Sequence, residues 1–74
     1  MDEKYMNQIK KASGEIWMLF KEYVGIKNDD EKRWEELIKV ADEFYKRYKG
    51  TEAETYARKY VGVIIDEIER VSKL

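Results

Sequence analysis

The chain has 74 residues, of which 42% are charged, and its 15 basic and 16 acidic side chains leave a formal net charge of −1. A chain of this length forms one small domain, and its balanced charge excludes a global field that attracts nucleic acid or an anionic membrane. Cysteine and histidine are both absent, which removes disulfides, thiolate nucleophiles, the usual general base near pH 7 and the best soft-metal ligands. We therefore predict a single domain over residues 1–74 that is not an enzyme and has no catalytic residues, cofactor or metal.

The sequence also predicts the cellular compartment of the protein. Residues 1–5 include three charged side chains and have no apolar run behind them, which argues against a signal peptide. The longest apolar runs, at 16–20 and 61–65, are too short to span a bilayer. Because a chain without cysteine suits a reducing compartment, we expect a cytoplasmic protein with no membrane partner.

The first predicted helix covers residues 3–24. Apolar residues recur there at spacings of three and four, which is typical of an amphipathic helix. The series ends at Gly25, which can adopt the left-handed conformation of a helix C-terminus at no steric cost. Its members are Tyr5, Ile9, Ala12, Ile16, Leu19 and Tyr23.

The second predicted helix covers residues 31–49. The acidic and amide residues at 28–31 predict its start, because one short side chain can cap the exposed backbone N–H groups. Gly50 predicts its end. The apolar stripe consists of Trp34, Leu37, Ile38, Ala41, Phe44, Tyr45 and Tyr48.

The third predicted helix covers residues 52–72. Thr51 and Glu54 have the spacing of a capping box, in which two side chains satisfy two free N–H groups at a helix start. A link as short as 50–51 brings the second and third helices back antiparallel. The fold class that follows is all-α, an antiparallel three-helix bundle.

The third helix has an unusually wide apolar arc. At 100° per residue, Tyr56 and Val63 lie on one flank of the stripe and Ile65 lies on the other, so the arc covers about 200°. One interpretation is that the two neighbouring helices cover both flanks. The other is that one flank is exposed and meets a partner protein or a second copy of the chain.

The first helix carries two apolar side chains outside its stripe. Met18 points away from the stripe, Trp17 lies at its edge, and Gly14 lies one turn before Met18. Aromatic residues and methionine are enriched in protein interfaces, which makes this a candidate docking patch. Single exposed apolar residues are also ordinary on soluble proteins, so both interpretations stay open.

A basic and aromatic cluster surrounds the predicted turn at Gly50. Phosphate contacts combined with ring stacking would suit single-stranded nucleic acid. Against this hypothesis, several of the nearby tyrosines belong to the apolar stripes, and the basic residues have carboxylates one turn away. The basic residues are Lys46, Arg47, Lys49, Arg58 and Lys59.

The second half of the chain carries a familiar pattern. It consists of WEEL at 34–37, ADEFYKRYKGT at 41–51 and IIDEIER at 64–70. This pattern resembles small uncharacterised helical proteins encoded by Gram-positive bacteria, their prophages and conjugative elements. The resemblance brings no catalytic residues with it. It implies a compact protein that binds and blocks a larger host or defence protein, as an anti-CRISPR-type inhibitor does.

These observations lead to one predicted function and two alternatives. We predict a non-enzymatic protein-binding module, encoded by a phage or mobile element, with binding surfaces on the first and third helices. The first alternative is a structural bundle that associates into a homodimer through the third helix. The second is a weak nucleic-acid binder that acts through the turn at Gly50.

Overall fold

The computed structural model describes residues 2–74, and these residues form three α-helices: α1 (Glu3–Tyr23), α2 (Glu31–Tyr48) and α3 (Glu54–Ser72). Each observed boundary lies within two residues of the predicted one. α3 packs against both α1 and α2, and ion pairs from Glu15 to Arg47 and from Glu22 to Arg33 join α1 and α2 in antiparallel order. The predicted all-α three-helix bundle is therefore confirmed.

Short polar residues and two glycines fix most of the helix ends. Asp30 accepts a hydrogen bond from the backbone N–H of Arg33 at 3.2 Å, as the cap predicted for α2 requires. Gly25 and Gly50 have φ angles of 98° and 84°, the left-handed conformation that a side chain disfavours. Both glycines therefore end their helices as predicted.

The start of α3 differs from the predicted capping box. The Thr51 hydroxyl accepts the N–H of Ala53 at 3.2 Å and donates to the carbonyl of Tyr48 at 2.7 Å. The Glu54 carboxylate accepts the N–H of Gly50 at 3.0 Å. Because these side chains serve the turn between the helices, regular helix begins only at Glu54, two residues later than predicted, and its N-cap makes no side-chain hydrogen bond.

One hydrophobic cluster holds the three helices together. All three helices contribute to it, and Ile26 closes it from the link between α1 and α2. The predicted stripe of α2 is wrong at Ile38, which is 57% exposed because the neighbouring positions Leu37 and Ala41 face the core instead. The buried side chains are Ala12, Ile16, Leu19, Tyr23, Ile26, Leu37, Ala41, Phe44, Tyr48, Ala53, Ala57, Val61 and Ile68.

The three helix pairs are not packed equally. α1 and α3 approach most closely, and their buried positions include Ala12, Ala53 and Ala57. Because the distance between two helix axes depends on the side chains at the contact, alanine permits a close approach. The backbones of α1 and α2 lie further apart, and the larger side chains of Leu19 and Phe44 lie between them. The bundle therefore has an open seam between its first two helices.

The helices are also staggered along the bundle. The hydrogen bond between Ser13 and Tyr56 places α1 and α3 in register, so that Glu54 lies level with Lys11. In the same register Asp66 lies level with Tyr23, so residues 67–72 of α3 extend beyond the end of α1. The molecule is accordingly 43 Å long, although a helix of the length of α1 spans only about 31 Å.

Candidate functional site

The open seam between α1 and α2 forms a groove of about 1100 Å³. Its floor consists of the core side chains Leu19, Tyr23 and Phe44. Met18 on α1 and Val40 on α2 stand at its walls, and they are 60% and 36% exposed. The groove therefore presents an apolar surface that continues directly into the core.

The α1 wall of this groove has a notch at Gly14. A Cβ atom built at Gly14 would meet no other atom within 4 Å. Met18 lies one helical turn further along the same wall. A flexible, polarizable side chain thus stands beside an open space on the same face, which is the surface chemistry of adaptable protein interfaces.

The two ends of the groove differ in charge. Lys10 and Lys11 lie at the end near the N-terminus of α1. Glu22 lies at the other end, and Glu36 and Glu43 line an adjoining depression there. Arg33 bridges this acidic end, because it donates to the Glu36 carboxylate and lies 3.6 Å from that of Glu22. Lys39 also lines this depression, so three carboxylates face two cations there, and the apolar groove has a basic end and a weakly acidic end.

Glu15 links the two helices across the groove. Its carboxylate accepts hydrogen bonds from Arg47 at 2.7 Å and from the hydroxyl of Tyr48 at 3.2 Å. Burial raises the pKa of Tyr48, and the charge of Glu15 adds to this effect. The i,i+4 spacing within α2 favours a pair between Glu43 and Arg47, whereas in the structure Arg47 pairs with Glu15 of the neighbouring helix.

Trp17 and Met18 lie on different sides of α1. Trp17 is 57% exposed, and its ring stacks on that of Phe20 with the centroids 6.0 Å apart. Phe20 packs against the core. Trp17 therefore lies beside the Gly14 notch, on the side away from Val40. Trp17 and Met18, the two residues of the predicted docking patch, both line the groove.

The three residues singled out on α3 have different surroundings. Tyr56 shares a hydrogen bond with Ser13 of α1, and both Tyr56 and Ile65 are half-buried and pack against the core. Val63 is 61% exposed. The neighbouring helices thus cover part of the wide arc at Tyr56 and Ile65, whereas Val63 is exposed.

The basic residues around Gly50 do not form one cluster: two of them pair with different carboxylates and three are exposed. Lys46 pairs with Asp42 at 3.0 Å, and this hydrogen bond raises the pKa of the lysine. Arg47 is held by Glu15. Lys49, Arg58 and Lys59 are exposed, whereas the tyrosines among them are buried or half-buried. The arrangement does not combine exposed rings with exposed cations, as a stacking platform for nucleic acid would.

Sequence reasoning missed the α2 wall of the groove. Val40 and Glu15 were assigned no role, although both lie where α1 and α2 meet. Val40 carries a usable signal, because it is an apolar residue outside the core stripe of its helix, as Met18 is in α1. Two such residues on antiparallel neighbours indicate a shared apolar seam.

The chain was compared with protein-family models, with curated proteins and with solved structures, and none of them matches it. Over residues 2–74, no helix combines the length and apolar character needed to cross a membrane. The same residues contain no group of three or more acidic side chains placed to hold a metal ion.

Proposed function

We propose that this chain is a non-enzymatic protein-binding module and that its binding surface is the groove between α1 and α2. The observation that carries this proposal is the continuous apolar surface from the exposed Met18 and Val40 to the buried Phe44. Exposed apolar surface that is contiguous and bordered by polar residues marks interaction sites in soluble proteins.

The shape of the groove favours a protein segment as its occupant. Small-molecule sites are concave and place a few convergent polar groups around the ligand. This groove is open, and its best-placed polar groups, Glu15 and Arg47, are already bonded to each other. An amphipathic helix that lays apolar side chains into the groove matches a recurring mode of recognition.

The resemblance of residues 34–70 adds an expectation about the biological partner. It suggests a larger host or defence protein that this chain, encoded by a phage or mobile element, binds and blocks. Binding through a groove supports such a role, because an inhibitor of this kind needs a complementary surface and no catalytic group.

The proposal is tested by comparing variants in a pull-down from host lysate. Met18→Asp places a charge in the apolar wall, and Ile38→Asp is the matched control, since Met18 is 60% and Ile38 57% exposed. We expect wild type and Ile38→Asp to retain the same protein and Met18→Asp to lose it. Circular dichroism should show equal helicity in all three.

A second variant separates the groove from α3. Ile65 is half-buried against the core, so replacing it would disturb folding as well as binding. Val63→Asp is the better probe of α3, because Val63 is 61% exposed. Loss of the partner in Val63→Asp together with full binding by Met18→Asp would move the binding surface to α3.

A further inference from the structure

We infer that the groove between α1 and α2 holds a second copy of this chain, with the two α1 helices packed antiparallel about a two-fold axis. The inference rests on the proposed function, because it concerns the same groove, and it names a second copy as the occupant in place of the host or defence protein that the resemblance suggests. It differs from the homodimer through the third helix, since Tyr56 and Ile65 of that helix already pack against the core.

The outer face of α1 supplies the contact. Lys11, Gly14, Met18 and Glu22 follow one another at spacings of three and four residues, so they share one face of the helix. All four are exposed, and all four line the groove. This face is therefore a second stripe, separate from the one that enters the core.

The stripe is complementary to the same stripe of a second copy that runs antiparallel to it. An antiparallel pair centred at position 16 places Met18 of each copy opposite Gly14 of the other. A Cβ at Gly14 would have open space within 4 Å, so the notch can receive the methionine side chain. The match occurs twice, as an isologous interface requires.

The charges are self-complementary about the same axis. Along the helix axis, Lys11 of one copy lies within one residue of Glu22 of the other copy. Lys10 lies level with that same Glu22. The basic end of each groove therefore meets the other end of its neighbour, where the carboxylates of Glu22, Glu36 and Glu43 outnumber the cations of Arg33 and Lys39. Binding to an unrelated partner requires no such symmetry, and for this reason we assign the groove to a second copy.

Charge reversal tests this arrangement. Lys11→Glu and Glu22→Lys each turn two attractive contacts into two repulsive ones, and both positions are exposed. We expect wild type to reach twice the chain mass of 9.0 kDa in light scattering. At low ionic strength each single variant should raise the dimer Kd by about tenfold or more.

An equimolar mixture of the two variants provides the decisive result. In the mixture, the acidic face of one variant meets the basic face of the other, so the dimer mass should return. Filling the notch is an independent test: Gly14→Gln should weaken the dimer, whereas Gly62→Gln should not. Gly62 is a fair control because a Cβ there also meets nothing within 4 Å.

Two outcomes overturn the inference. One is a monomeric wild type at all concentrations up to about 1 mM, the weakest affinity that specific binding is expected to have here. The other is a dimer that none of these variants weakens, which would place the interface elsewhere. If a monomeric chain still captures a partner that Met18→Asp loses, only this inference fails; if Met18→Asp also captures that partner, the proposed function fails with it.

Discussion

The seam between α1 and α3 and the seam between α1 and α2 share one hydrophobic core but contain side chains of different size. The first contains fully buried alanines, among them Ala12 and Ala57, and its helices approach closely. The second contains Leu19 and Phe44 below a surface that remains open. Because the distance between two helix axes depends on the side chains at their contact, this difference in volume is consistent with one closed and one open seam, and the residues that stabilise the bundle also form the floor of its groove.

The largest expected effect comes from removing the floor of the open seam. Phe44 is fully buried, so Phe44→Ala should lower the free energy of unfolding by about 3–5 kcal/mol. That loss is large for a domain of this size, whose total is about 4–11 kcal/mol. Urea unfolding measures it, with Val40→Ala at the groove wall as the control. Equal losses in both variants would mean that the floor and the wall of the groove contribute equally to the free energy of unfolding.

The next effect comes from adding volume to the closed seam. Ala57→Leu should destabilise the protein by about 1–3 kcal/mol, because a packed site must shift to accept a larger side chain. Ala57 is fully buried. Thermal unfolding compared with wild type measures the loss. An unchanged or raised midpoint would show that α1 and α3 leave more space than their burial indicates.

A smaller effect concerns the hydrogen bond that joins the two walls. Tyr48→Phe removes the donor to Glu15 and should cost about 0.5–1.5 kcal/mol at pH 7. Burial raises the pKa of Tyr48 in the folded protein, so the contribution of its neutral form is fully present below the unfolded pKa of about 10. It is then lost as the pH rises through the folded pKa.

Unfolding free energies measured between pH 8 and pH 11 should therefore fall more steeply for wild type than for Tyr48→Phe. Lys46 also has a raised pKa because of its hydrogen bond to Asp42, and this pair persists in both proteins. Parallel curves for the two proteins would contradict the role given to Tyr48.

The smallest expected effect is a gain within the groove. Gly14→Ala should stabilise the monomer by about 0.5–1 kcal/mol, because glycine disfavours helix and the added Cβ meets no neighbour. Dilute samples, in which monomers dominate, isolate this effect in a urea titration. A loss of stability would mean that the notch at Gly14 is closed in the monomer.

Much of the fold could be predicted from local signals. Apolar spacing located the three helices, Gly25 and Gly50 located two ends, and Asp30 located a cap, since each of these acts within a few residues of chain. The sequence places the start of α3 two residues early because Thr51 lies within a few residues of two helix ends. The hydroxyl of Thr51 bonds to the end of α2, and sequence spacing cannot tell which of two helices such a group serves.

The groove could be predicted only in part. Met18 was visible as an apolar residue outside its stripe, but a groove needs two walls, and the position of Val40 depends on how α1 and α2 are staggered. Arg47 shows the same limit, because it has carboxylates available on two helices and the sequence favours the nearer one. Only the packed bundle selects Glu15.

The pairing of α1 with α3 has a consequence for the order of folding. The hydrogen bond between Ser13 and Tyr56 joins residues 43 positions apart, whereas α2 and α3 are joined by the short turn at Gly50. Closing a short loop costs less entropy than closing a long one, so we expect the α2–α3 hairpin to form first and α1 to dock last. The groove would then exist only in the completed molecule, and a partly folded chain could not display it.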